Sequence, residues 1–115
     1  MRIALAFVAA TLLAGCASST MNTARSGQPD RIINSTKEAL KVAECVQFSW
    51  QDEAVFGVDA SGYLEQAAGV VTVSTRGAEY FADIAAAGSG SLVKFYAQKD
   101  DALAQRRMAA LATCL

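Results

Sequence analysis

The sequence predicts an α+β domain: an N-terminal helix, an antiparallel sheet of four or five strands, and a C-terminal helix packed on one face of that sheet. Three observations point there. Two stretches, 34–53 and 99–115, repeat apolar residues at helical spacing. The stretch between them is cut by Gly57, Gly62, Gly69, Gly77, Gly88 and Gly90 into short runs rich in Val, Tyr, Phe and Thr, as in a strand meander. Each helical stretch also holds one cysteine beside its apolar face, Cys45 in the first and Cys114 in the second.

In the first helix, Ala39, Val42, Ala43, Val46 and Trp50 fall on one face. Ser35 and Glu38 have capping-box spacing, with Ile32 or Ile33 placed for the staple contact. Leu40 and Phe48 fall outside the stripe. The clearest strands are VVTVSTR at 70–76 and SLVKFYAQ at 91–98. In the second, Val93, Phe95 and Ala97 alternate with Lys94, Tyr96 and Gln98, so the first set is expected to face the core. Tyr80, Ala82 and Ile84 are expected to do the same in AEYFADI, which leaves Phe81 and Tyr96 on the other, open face. GYLEQAA at 62–68 is read as a strand, although Leu, Glu, Gln and Ala also favour helix. GSGS at 88–91 leads into a strand and so reads as a hairpin turn, not a phosphate loop. The last helix opens with Asp100 and Asp101, where acids suit its positive end, and carries Ala104, Met108, Leu111 and Leu115 as a stripe.

The chain begins differently. Arg2 is followed by an apolar run, Ile3 to Leu13, broken only by Thr11. About 11 residues make roughly 16 Å of helix, too short for an apolar layer of about 30 Å. A positive start, a short apolar run and small residues before a cut site describe a secretory signal peptide over residues 1–15. Leu13-Ala14-Gly15-Cys16 is similar to the lipobox of bacterial lipoproteins, a resemblance confined to the first 16 residues. It implies a diacylglyceryl group on the Cys16 thiol, cleavage before Cys16, and acylation of the new amine by a fatty acid such as palmitate. Two or three acyl chains hold a protein stably on a bilayer. Ala17, where an Asp would mark retention, resembles the pattern sent to the outer membrane of Gram-negative bacteria. The expected location is therefore the periplasmic side of that membrane. Residues 16–31, rich in Ser, Thr and small residues and holding Pro29, then read as a lipidated N-terminus and flexible tether, and 32–115 as the domain.

With Cys16 lipidated, Cys45 and Cys114 remain, and in an oxidising compartment they are expected to pair. Both meet if the two helices lie on the same face of the sheet. A domain this small has little core and gains from such a staple.

Composition narrows the function. The chain has no histidine, which removes Ser-His-Asp and Cys-His arrangements and the usual metal ligand. Asp52-Glu53 and Asp100-Asp101 read as a solvated loop and a helix start. No catalytic residue, metal ligand or cofactor is expected. Ten basic residues against eleven acidic ones, with no basic run, give no footprint for nucleic acid. Arg106-Arg107 with Lys99 reads as a solvated helix face, and Asn34-Ser35-Thr36 as a helix start. The expected function is a non-catalytic envelope lipoprotein. It is anchored through Cys16 and presents a disulfide-stapled domain to a periplasmic protein or to peptidoglycan. Phe81 and Tyr96 on the open face are the candidate partner surface. The alternative is a carboxylate-dependent small hydrolase of cell-wall material.

Overall fold

A computed structural model describes residues 19–57 and 61–115. The signal peptide and Cys16 lie outside the described residues. The chain forms a helical segment α1 over residues 19–25, then strand β1 (Arg31–Ser35) and helix α2 (Ala39–Asp52), which ends in a 3-10 turn (Glu53–Phe56). Strands β2 (Tyr63–Ala67), β3 (Val70–Ser74), β4 (Tyr80–Ala87) and β5 (Gly90–Ala97) follow, and helix α3 (Ala102–Ala112) ends the domain. The strands make one antiparallel sheet in the order β1-β5-β4-β3-β2. The α+β class, the five strands and the C-terminal helix on one sheet face agree with the sequence, and GYLEQAA supplies β2.

Alternation along the strands sorts the sheet into two faces. Val71, Val73, Tyr80, Ala82, Ile84, Val93 and Phe95 meet Val42, Ala43, Val46 and Trp50 of α2 and Ala104, Leu111 and Cys114 of α3 in one buried cluster. Trp50, fully buried, meets Phe95 edge-on with ring centroids 6.4 Å apart. Burying an aromatic or aliphatic side chain of this kind contributes about 1.5–3 kcal/mol, so this face carries most of the folding energy.

Three expectations change. Strand β1 precedes the first long helix, where the sequence suggested only a staple residue. Its two apolar positions, Ile32 and Ile33, are too few to show a period, and pairing with β5 makes the strand. The Ser35–Glu38 capping box does not form: Glu38 sits at the N-cap without a side-chain hydrogen bond. The Ser35 hydroxyl instead accepts from the Lys37 N–H and donates to the Leu115 carbonyl, tying the start of α2 to the end of the chain (both 3.1 Å). The segment expected as a flexible tether is, over its described part, the packed helix α1 followed by a turn into β1. Met21 is buried and so inserts between the sheet's second face and α1.

Two positions constrain the sheet. A Cβ on Gly90 would stand 2.0 Å from the Ser35 carbonyl oxygen, so only glycine lets β1 lie against the start of β5. The β2–β3 turn uses Ala68 at φ 52° and Gly69 at φ 78°. Two positive φ values suit a two-residue hairpin, and the alanine bears the strain. Ala68→Gly should raise stability by about 1 kcal/mol. Thermal denaturation should show this as a Tm roughly 4–8 °C higher.

Candidate functional site

Helices α2 and α3 lie side by side on the same sheet face, and Cys45 and Cys114 form a disulfide with Cα atoms 5.7 Å apart. This is the pairing the sequence led us to expect. It closes a separation of 69 residues, which in the chain-entropy model is worth about 4 kcal/mol. The Ser49 hydroxyl lies 3.6 Å from the Cys114 sulfur. Deeper in, the Trp50 indole N–H donates to the Arg107 carbonyl at 3.0 Å, and Arg107 Nη1 donates back to the Trp50 carbonyl at 3.2 Å. Arg107 is 1% exposed, with its guanidinium 5.9 Å from the Trp50 ring centre. The basic cluster read on this helix is therefore dispersed. Arg107 is in the core, Arg106 pairs with Glu53 of the 3-10 turn, and Lys99 lies 3.4 Å from Glu79. Helical periodicity makes adjacent residues point about 100° apart, which separates Arg106 from Arg107.

The acids also have structural partners. Asp101 caps α3 by accepting the Ala104 N–H at 2.9 Å. The buried Tyr80 hydroxyl donates to the same carboxylate at 2.9 and 3.0 Å. The Ala104 N–H, then the Tyr80 hydroxyl, holds the Asp101 carboxyl below its ordinary range. Burial, then the bond to Asp101, pushes the Tyr80 phenol up to about 12. Asp52 closes α2, and Glu53 pairs with Arg106 of α3.

The second sheet face holds the residues expected as an open partner surface. Phe81 and Tyr96 do point there, and their rings stack 4.6 Å apart at 9°. They are 0% and 5% exposed, because α1 covers them. Met21 packs against Ala78, Phe81 and Tyr96, and the Arg25 guanidinium lies 5.3 Å above the Phe81 ring. Arg25 binds Asp83 through two hydrogen bonds, Nε to Oδ2 at 2.6 Å and Nη2 to Oδ1 at 2.8 Å. The Thr72 hydroxyl completes the site by donating to Asp83 at 2.7 Å. The bond to Asp83 raises the Arg25 pKa further. A forked guanidinium–carboxylate pair of this geometry fixes orientation as well as adding energy. Phe81 and Tyr96 are thus ruled out as a free docking surface. Large apolar side chains are exposed elsewhere: Phe48 on the outer side of α2 and Val55 seven residues on, 69% and 78% exposed. Phe48 falling outside the helical stripe was the sequence signal for this.

A third feature was not read from the sequence. Between α3 and the β1–β5 edge runs an open groove of about 460 Å³, bordered by Asp30, Arg31, Asp100 and Met108 with Phe95 behind them. Asp30 accepts the Ala97 N–H at 2.8 Å. Among the described residues, no three His, Cys, Asp or Glu side chains are grouped to hold a metal, and no helix is long and apolar enough to cross a membrane. No family model, curated protein or solved structure matches the chain.

The Tyr80–Asp101 pair predicts an alkaline limit to stability. Tyr80 ordinarily ionises near 10 and in the fold near 12. The folded state thus holds its proton more tightly, so its contribution is complete below pH 10 and is lost as pH rises through 12. Denaturation midpoints followed from pH 9 to about 12.5 should fall over that window, and the fall should be smaller in Tyr80→Phe.

Proposed function

We propose that the chain is a small bacterial envelope lipoprotein, anchored through acyl chains on Cys16 at the periplasmic side of the outer membrane. It is non-catalytic and presents its disulfide-stapled domain to a periplasmic protein or to peptidoglycan. The observation that carries this reading is the division of the three cysteines. Cys45 and Cys114 are joined, which leaves the Cys16 thiol, directly after Leu13-Ala14-Gly15, as the one available for lipid. A disulfide between two helices also fits an oxidising compartment.

The packing of α1 alters how such an anchor would work. Only Ala17 and Ser18 separate Cys16 from the first described residue of α1. Three residue steps span at most about 10 Å, against roughly 20 Å for a free tether of 15 residues. The domain is then held against the headgroups and does not swing above them. The test is metabolic labelling with a fatty acid and intact-mass analysis of the mature protein. Label on the wild-type chain, absence of residues 1–15, and loss of label in Cys16→Ser are expected. An unlabelled wild-type chain, or labelled Cys16→Ser, overturns the reading.

One observation supports the alternative, a carboxylate hydrolase: Asp30 and Asp100 border the same groove. Incubation with purified peptidoglycan separates the two readings. The binding module releases no soluble sugar fragments. Release that disappears in Asp100→Asn would favour the hydrolase.

A further inference from the structure

The direction in which α1 lies on the sheet decides where a lipid on Cys16 would stand. Met21 packs on Ala78, Phe81 and Tyr96. One turn later Arg25 bonds to Asp83 and Thr72. In the sheet register Phe81 stands beside Ser74 and Tyr96, and Asp83 stands beside Thr72 and Lys94, one same-face row further along β4. Helix α1 therefore runs in the direction of β4, and its first residues lie toward the 3-10 turn Arg76–Ala78, where β4 begins. Cys16 comes three residue steps before Ser19, at most about 10 Å away. Its acyl chains would enter a bilayer beside this turn. The hairpin tips at Ala68-Gly69 and Gly88-Ser89 lie at the other end of the sheet. The eight residues of β4 span roughly 26 Å between the two ends.

The side chains at the turn end suit a headgroup layer. Strand β2 begins there, with Tyr63 opposite Ser74, on the face of Phe81 and 51% exposed. A tyrosine ring with its polar tip favours the boundary between water and lipid. Helix α2 ends there too: Gln47 and Gln51 both donate to the Gly62 carbonyl, at 3.1 and 3.0 Å, and the 3-10 turn that follows α2 carries the exposed Val55. Arg76 is exposed in its own turn, and its backbone N–H donates to the Ser61 hydroxyl at 2.7 Å. The β1 side of the same end carries Asp30 and Asp100 instead. Lipid phosphates repel carboxylates and attract a guanidinium, so the β2–β3 side is the one turned toward them.

We propose that the domain docks on the bilayer by this end, with Tyr63 and Val55 at headgroup level, Arg76 among the lipid phosphates and the hairpin tips pointing away. This pose rests on the lipid anchor proposed above. The Arg25–Asp83 pair sets it, because it holds α1 on the sheet and keeps the link to Cys16 short. With α1 released, residues 16–30 become a tether of roughly 20 Å and the domain turns freely.

Fluorescence quenching tests the pose. Lipid on Cys16 and the Cys45–Cys114 disulfide leave a single added cysteine as the free thiol, which takes one fluorophore. The mature chain is placed in vesicles of phosphatidylethanolamine and phosphatidylglycerol that include nitroxide-labelled lipid. A fluorophore on Tyr63→Cys or Val55→Cys should be quenched several-fold more than one on Ser89→Cys at a hairpin tip or Phe48→Cys on the outer side of α2. Adding Arg25→Ala to Tyr63→Cys should remove the excess. Mass analysis of the same samples separates this pose from the anchor it rests on. A chain without acyl groups overturns both. An acylated chain quenched equally at residues 63 and 89 overturns the pose alone, and so does quenching at residue 63 that Arg25→Ala leaves unchanged.

Discussion

The domain depends on the clasp between α2 and α3. Trp50 and Arg107 exchange hydrogen bonds through each other's carbonyls inside the core. The Cys45–Cys114 disulfide then locks the same two helices covalently. With both helices fixed, one sheet face is covered from β2 to β5, and Phe95 packs edge-on against the indole. An indole N–H and a guanidinium are expensive to bury without partners, so each helix supplies what the other needs. Cys45 and Ser49 lie on the flank of α2 nearest Cys114. The clasp and the disulfide are therefore two parts of one helix–helix contact.

Because the clasp places both long helices on one face, the other face falls to α1. It is a short cover, and it works through few groups: Met21 in an apolar site, and Arg25 held by Asp83 and Thr72. A buried stacked pair, Phe81 and Tyr96, lies beneath. The contact is partly electrostatic and partly open to water, with the Arg25 side chain 32% exposed. Salt therefore weakens it more than it weakens the apolar cluster on the first face. The two faces thus differ in kind: one is closed by a covalent staple, the other by a helix resting on an ion pair.

The same arrangement leaves α3 with an uncovered flank. Its N-terminus is fixed by Asp101, Ala104 and Tyr80, and its C-terminus by the disulfide and the Ser35 hydroxyl. Held at both ends and clasped to α2, it does not roll onto the β1 edge. The groove is what remains between them. Asp30, whose carboxylate takes the Ala97 N–H, keeps the end of β5 in line beside it.

The sequence by itself determined the parts whose signal is local and repeated. Apolar residues at 3.6-residue spacing marked α2 and α3, alternation marked β4 and β5, and glycines marked the turns between strands. The disulfide followed from counting cysteines and from their places beside two apolar stripes. Cys16 and its preceding residues lie in the segment read by resemblance. The tertiary structure alone decided what depends on a distant neighbour. The strand at Arg31–Ser35 has two apolar residues and exists because β5 lies beside it. Ser35 gave up a cap for a bond to residue 115, 80 positions away. Phe81 and Tyr96 had the alternation of an open face, but Met21 and Arg25, from a stretch with the composition of a linker, closed it. Arg107 reads as a surface charge until Trp50 is placed against it. Periodicity reports which way a side chain points relative to its own backbone; what stands in front of it is set by packing of segments far apart in the chain.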